Sequence, residues 1–79
     1  MDDAQLVQRI DALVEEEHAL ERGHDGEIGD TDRQRLHDIG IQLDQCWDLL
    51  RQRRARRNAG LDPDDAQVRP EQVVEKYSQ

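Results

Sequence analysis

The chain has 79 residues, 19 acidic and 11 basic side chains, a formal net charge of −8 and no phenylalanine. So short a chain forms one domain with a small core, and its negative charge argues against general binding to polyanions. The single cysteine excludes an internal disulfide framework. No apolar run approaches the roughly 18 residues of a membrane span, and the N-terminus lacks the pattern of a signal peptide, so we expect a cytoplasmic protein of bacterial type.

The first predicted element is a helix over residues 3 to 22. Apolar side chains recur at helical spacing, and Asp2 or Asp3 is a suitable cap at the start. At ~100° per residue the apolar stripe spans about 140°, which is wider than contact with one partner helix requires. The stripe consists of Leu6, Val7, Ile10, Leu13, Val14 and Leu20.

A glycine-rich loop and a second helix follow. Residues 23 to 30, GHDGEIGD, contain three glycines, which favour turns and helix ends. Thr31 and Gln34 have the spacing of a capping box, and the second helix is predicted from about residue 32 to 58, because a glycine and a proline come soon after. Its apolar stripe consists of Leu36, Ile39, Leu43, Cys46, Trp47 and Leu50.

Two helices joined by a short loop predict an antiparallel hairpin. The predicted fold class is therefore all-α: a coiled-coil-like two-helix hairpin over residues 1–60, then an acidic tail over residues 61–79 with a short helix at about residues 70–77. With the loop centred near residue 26, the predicted facing pairs are Ile10 with Leu43, Leu6 with Trp47, Val7 with Cys46 and Leu13 with Gly40.

Five arginines form a basic block at the end of the second helix: Arg51, Arg53, Arg54, Arg56 and Arg57. Residues 49–57 contain no acid, whereas residues 1–48 contain fourteen acids and four bases. In the predicted register the block projects past the start of the first helix. We expect the acidic turn at residues 62–65 to fold back towards Arg53, Arg54 or Arg57, with the chain reversing just after Gly60.

Three segments carry a resemblance to a known family: LVEEEHAL, LDQCWDLLRQRRARRNAGLDPDDAQVRP and EQVVEKY. They are similar to a family of small, uncharacterised actinobacterial proteins, a domain of unknown function, and the similarity covers nearly the whole chain. The resemblance implies a cytoplasmic, all-helical protein of about this length and supplies no catalytic residues.

Three polar side chains near the loop end of the hairpin are candidate ligands. Glu17, His18 and His37 have zinc-binding chemistry, but their spacing matches no recognised motif, and solvated histidines are the simpler interpretation. Glu17 lies within the apolar stripe, where a carboxylate needs a partner such as Arg33 or His37. We interpret it as a polar group that fixes register and oligomeric state, with a polar pocket inside a bundle as the alternative.

The remaining motifs do not indicate catalysis. Cys46 lies on the apolar stripe and is interpreted as a small apolar group rather than a redox thiol. No nucleophile with an orienting base, phosphate-binding glycine loop or catalytic carboxylate pair is found. The sequence therefore predicts a protein that is not an enzyme and that binds neither a metal nor a cofactor.

The predicted function is a protein–protein interaction module that self-associates as a homodimer, or else binds another helical protein. Ile41 and Leu49 lie off the seam of the second helix and need a further contact. The residues expected to form the core or the interaction surface are Leu6, Ile10, Leu13, Glu17, Leu36, Leu43, Cys46, Trp47 and Leu50. The alternative is a regulatory contact with nucleic acid or the transcription machinery through the arginine block, against which the net charge argues.

Overall fold

The computed structural model describes residues 1–23 and 29–71. Within these ranges the chain forms two long helices, α1 (Asp3–Arg22) and α2 (Asp30–Asn58), and a single 3-10 turn (Pro63–Asp65). The helices pack along their length as an antiparallel hairpin, and the described residues contain no strand. The predicted all-α hairpin is confirmed.

Helix α1 begins where an acidic cap stabilises it. The Asp2 side chain accepts a hydrogen bond from the Gln5 backbone N–H, and the Gln5 side chain accepts one from the Asp2 backbone N–H. This reciprocal pair is a capping box and satisfies two donors that the first turn otherwise leaves unpaired. The predicted bounds of this helix agree with the structure.

Helix α2 begins two residues earlier than predicted, and the predicted capping box at Thr31 is wrong. The N-cap is Gly29, which has no side chain to accept a hydrogen bond, and Thr31 lies inside the first turn. Asp30 and Asp32 stand in that turn, where their negative charge is favoured by the helix dipole.

The core is a narrow seam between the helices. It consists of Leu6, Ile10 and Leu13 from α1 with Ile39, Leu49 and Leu50 from α2. The predicted register needs correction, because Leu6 packs with Leu49 and Leu50 rather than with Trp47. Leu13 does not pack closely on Gly40 either, since a Cβ added at Gly40 would have no neighbour within 4 Å.

The chain reverses after α2 as predicted. Gly60 has a φ of 76°, a left-handed conformation that glycine adopts without strain. The 3-10 turn follows, and residues 62–71, which we call the strap, run back along α2. The short helix predicted at residues 70–77 lies almost entirely outside the described residues and stays a prediction.

Candidate interaction surface

A two-helix hairpin has two broad faces, and here they differ in how they are covered. In each helix, residues that immediately precede a seam position point to one face, and residues that immediately follow one point to the other. We call the first the strap face, because the strap lies on it, and the second the bare face.

Polar bridges close the strap face. Arg9 donates to the Gln42 side chain across 2.8 Å, and Arg35 donates two hydrogen bonds to Glu16, one of them of 2.7 Å. The Arg35 guanidinium lowers the pKa of the Glu16 carboxyl. These contacts fix the register of the two helices on this side.

The strap is tied to the strap face through a buried carboxylate. Asp48 is 1% exposed and accepts two hydrogen bonds from Arg69, one of them of 2.9 Å from Arg69 Nε. Gln52 donates to Asp48 and also to the Gln67 backbone carbonyl. Arg69 holds the pKa of Asp48 below its usual range, so the buried group is a carboxylate compensated by a cation.

A shallow apolar pocket of about 150 Å³ also opens on the strap face. Met1, Leu49 and Val68 line it together with Cys46. Burial raises the pKa of the Cys46 thiol, which disfavours the reactive thiolate. The pocket therefore offers a small apolar surface with no activated nucleophile.

A network of charges closes the open end of the hairpin. Arg53 is only 5% exposed and donates to Asp3 at 2.6 Å, to Asp64 at 3.0 Å and to the Pro63 carbonyl at 3.2 Å. Arg57 contacts the second oxygen of Asp3 at 2.6 Å. Hydrogen bonds from Arg57 and Arg53 lower the pKa of Asp3 to about 2.

The arginine block is therefore not one continuous basic surface. The block is tied back to the start of α1, because Asp3 pairs with both Arg53 and Arg57. The fold-back of the acidic turn onto Arg53 is confirmed, and Arg56 rather than Arg54 is its second anchor, through the Asp62 carbonyl and Asp65. Arg51 and Arg54 are exposed and form no ion pair within residues 1–23 and 29–71.

The bare face carries apolar side chains that the hairpin leaves open. Val7 and Val14 follow the seam residues Leu6 and Leu13, and Val7 is 44% exposed. On α2 this face carries Gly40, the exposed Asp44, Trp47 and Arg54, and on α1 the exposed Asp11 lies between Val7 and Val14. Trp47 is 45% exposed, and the half-buried Leu36 and Leu43 border this face.

The predicted polar candidates do not come together as a ligand site. Glu17 is half-buried, His18 and His37 are exposed, and the carboxylate that pairs across the loop end is the neighbouring Glu16. Within the described parts of the chain, no group of three or more His, Cys, Asp or Glu side chains has a geometry suited to a metal ion.

Sequence reasoning missed Asp48, Arg69 and the roles of Asp3 and Glu16. Asp48 and Arg69 are 21 residues apart, and they meet only because the chain reverses between them. One signal was present: Asp48 is an acid placed directly between Trp47 and Leu49 in an otherwise apolar stretch. An acid in such a place requires a partner.

Comparison with known proteins places the chain in a family. A family model described as "Protein of unknown function (DUF2630)" matches residues 2–79. The chain belongs to this family. Uncharacterized proteins of Mycobacterium bovis and of two strains of Mycobacterium tuberculosis are each 49% identical over 78 residues, covering 96% of this chain and 90% of theirs. The actinobacterial resemblance is thus confirmed, and no solved structure matches the chain.

No helix within residues 1–23 and 29–71 has both the length and the apolar character needed to cross a bilayer.

Proposed function

We propose that the chain is a binding protein without enzymatic activity that pairs with a second copy of itself through the bare face. Two hairpins that meet on this face form a four-helix bundle, in which each hairpin supplies the apolar partner that the other lacks. The strap occupies the opposite face of each copy and leaves this pairing unobstructed.

The observation that carries the proposal is the contrast between the two faces. Ion pairs, hydrogen bonds and the strap cover the strap face. The bare face instead presents Val7 and Trp47, each almost half exposed, next to Val14 and Leu43. Exposed apolar side chains gathered on one face of so small a chain are typical of an interaction site, and here the exposed carboxylates of Asp11 and Asp44 lie among them.

The dimensions of the hairpin suit a specific interface. The molecule extends 50 × 25 × 16 Å, so one broad face exceeds the roughly 800 Å² that each partner buries in a typical specific complex. Tryptophan is also enriched at the centres of such interfaces. Trp47, the only tryptophan of the chain, lies on the bare face.

Sedimentation equilibrium tests the proposal. We expect the 9.2 kDa chain to associate to twice its mass as concentration rises. Val7→Glu should abolish association by placing a charge in the apolar interface. Val68→Glu is the matched control, because Val68 is 60% exposed but lies on the strap side. A species of 9.2 kDa at every concentration would refute self-association.

A second candidate is a contact with nucleic acid through the exposed arginines. Arg51 and Arg54 supply its basis, since Arg53, Arg56 and Arg57 are engaged within the chain. Two phosphate contacts give a shallow dependence on salt, with a slope of about −2 in log affinity against log salt concentration. Binding of a DNA or RNA duplex that disappears in an Arg51→Ala/Arg54→Ala variant would favour this candidate over the bundle.

A further inference from the structure

We infer that residues 72–79, which we call the C-terminal segment, dock as a short helix on the strap face and cover its apolar pocket with Val73, Val74 and Tyr77. The occupant of the pocket is thus a segment of the same chain. This inference concerns the face opposite the bare face and does not depend on self-association.

The last described residues lie at the edge of the pocket. Val68 of the strap lines it, and Gln45, which lines it from α2, donates to the Arg69 backbone carbonyl at 3.4 Å. Glu71, two residues further on, is half-buried. The C-terminal segment therefore begins beside the opening of the pocket and needs no linker to reach it.

The walls of the pocket include apolar side chains that the described chain leaves uncovered. Met1 is 65% exposed and Val68 is 60% exposed, although both line the pocket. They stand on opposite sides of it, Met1 at the start of α1 and Val68 on the strap. A segment that lay between them would remove apolar surface of both from water, which is favourable.

The sequence of the C-terminal segment is that of a short amphipathic helix. Glu71 is already helical, and Pro70 before it suits the start of a helix. Pro70, Val73, Val74 and Tyr77 have the i, i+3, i+4, i+7 spacing of one helix face, and all other residues of the segment are polar. A helix of this length is not stable alone in water, so its apolar face requires a surface.

The pocket and the segment match in size. The pocket has a volume of about 150 Å³, and an apolar cavity of roughly that volume holds a benzene ring. It lies between α2 and the start of α1, whose axes are ~8–10 Å apart in a packed helix pair. From Glu71 to Tyr77 a helix extends about 9 Å. The valines therefore lie towards the α2 wall of the pocket, and Tyr77 reaches the α1 wall beside Met1.

The surroundings of the pocket favour this position over others on the strap face. Towards the loop end, the Arg9–Gln42 and Arg35–Glu16 hydrogen bonds close the groove with polar groups. Apolar side chains laid over these groups would remove them from water at a cost. The pocket instead offers the apolar walls of Leu49 and Cys46.

Alkylation of Cys46 tests whether the pocket is covered, because Cys46 lines it and is the only cysteine of the chain. The rate at which N-ethylmaleimide modifies the native full-length protein measures how often the pocket opens. Val73→Glu/Tyr77→Glu should raise this rate about tenfold, because it replaces two docked apolar side chains by charges. The added negative charge alone would slow the reaction, since it disfavours the thiolate.

The matched control is Gln72→Glu/Gln79→Glu, which adds the same charge to the opposite side of the helical segment. Its alkylation rate should stay within about twofold of the wild type. Circular dichroism would verify that α1 and α2 remain folded in both variants. Equal rates for the wild type and Val73→Glu/Tyr77→Glu would overturn the docking.

A direct contact gives the second measurement. Met1 and Tyr77 are the only methionine and the only tyrosine of the chain, so a nuclear Overhauser effect between the Met1 methyl group and the Tyr77 ring can be assigned without ambiguity. We expect this contact in the wild type and its loss in Val73→Glu, and its absence from the wild type would contradict the docking. An alkylation rate that falls with protein concentration in a Val7→Glu background would assign the pocket to a second copy and overturn the inference as well.

Discussion

Arg53 and Arg54 are adjacent in the sequence and carry the same charge, but they lie in opposite surroundings. Arg53 lies seven residues after Cys46, which packs against the core, and its side chain reaches the space between the start of α1 and the 3-10 turn, where Asp3 and Asp64 accept its hydrogen bonds. Arg54 is turned ~100° further around the helix and is exposed. The two residues cannot be told apart by composition. Their positions around the helix make Arg53 a structural residue and Arg54 a surface residue.

Alanine substitutions at these two positions measure that difference. Arg53→Ala should lower the free energy of unfolding by about 1–3 kcal/mol, because it removes several charge-assisted hydrogen bonds at a nearly buried site. Arg54→Ala should change the stability of the monomer by less than about 0.5 kcal/mol. Urea unfolding of both variants at low concentration checks this, and equal losses would contradict the separation.

Asp3 makes stability depend on pH in the acid range. Its pKa is about 2 in the folded chain, compared with an ordinary value of 3.8. A lowered carboxyl pKa stabilises the fold fully above pH ~4, and this contribution is lost as pH falls towards 2. Denaturation of Asp3→Asn between pH 5 and pH 2 should show a smaller decline than that of the wild type. A decline of the same size would show that Asp3 does not contribute.

At the scale of elements, periodicity and caps predicted both helices because these signals are local in the chain. The reversal at Gly60 and the fold-back onto Arg53 were also predictable, since a flexible glycine and opposite charges lie close together in sequence. The predicted start of α2 was two residues too late. The N-cap residue, Gly29, has no side chain that could indicate a cap in the sequence, and two acids in the first turn, Asp30 and Asp32, stand where a capping side chain was expected. The predicted pairing of Leu6 with Trp47 was wrong because Leu6 packs against Leu49 and Leu50, and apolar patterning alone does not specify which residues of a wide stripe face the partner helix.

The strap should be held mainly by its tie to Asp48. Arg69→Ala leaves a carboxylate that is 1% exposed with Gln52 as its remaining donor, so we expect a loss of roughly 2–4 kcal/mol in the free energy of unfolding. Asp48→Asn/Arg69→Ala should recover part of that loss, because a neutral amide is less costly to bury without a cation. Chemical denaturation of the two variants gives the comparison. An Arg69→Ala chain as stable as the wild type would show that water reaches Asp48.

The glycines of α2 and of the reversal should respond to alanine in opposite directions. Gly40→Ala should stabilise the hairpin by up to about 1 kcal/mol through helix propensity, since the added Cβ meets nothing. Gly60→Ala should destabilise it by about 1 kcal/mol, because alanine is strained at a φ of 76°. Thermal unfolding in a Val7→Glu background would isolate these effects from association. The same sign for both would contradict the geometry.

At the scale of the whole molecule, residues 1–23 and 29–71 bury six apolar side chains, a small core for a chain of 79 residues. The width of the α1 stripe indicated from sequence that the hairpin has more surface to cover than one helix pair provides. Which side chains stay uncovered was not predictable, because it depends on the face that the strap takes. That choice is made by the long-range contact between Arg69 and Asp48, and it leaves Trp47 on the open side.

Self-association should therefore contribute to the stability of the folded chain. A partner that binds only the folded state raises stability by mass action, so the melting temperature of the wild type should rise by several degrees over a hundredfold increase in concentration. Over the same range the emission of Trp47 should shift to shorter wavelengths, because the indole ring leaves water when the bare face is covered. Val7→Glu should show neither change, and Val68→Glu should show both. A melting temperature independent of concentration, with Trp47 emission fixed at the wavelength of a half-exposed ring, would mean that the bare face stays uncovered and that the hairpin is stable alone.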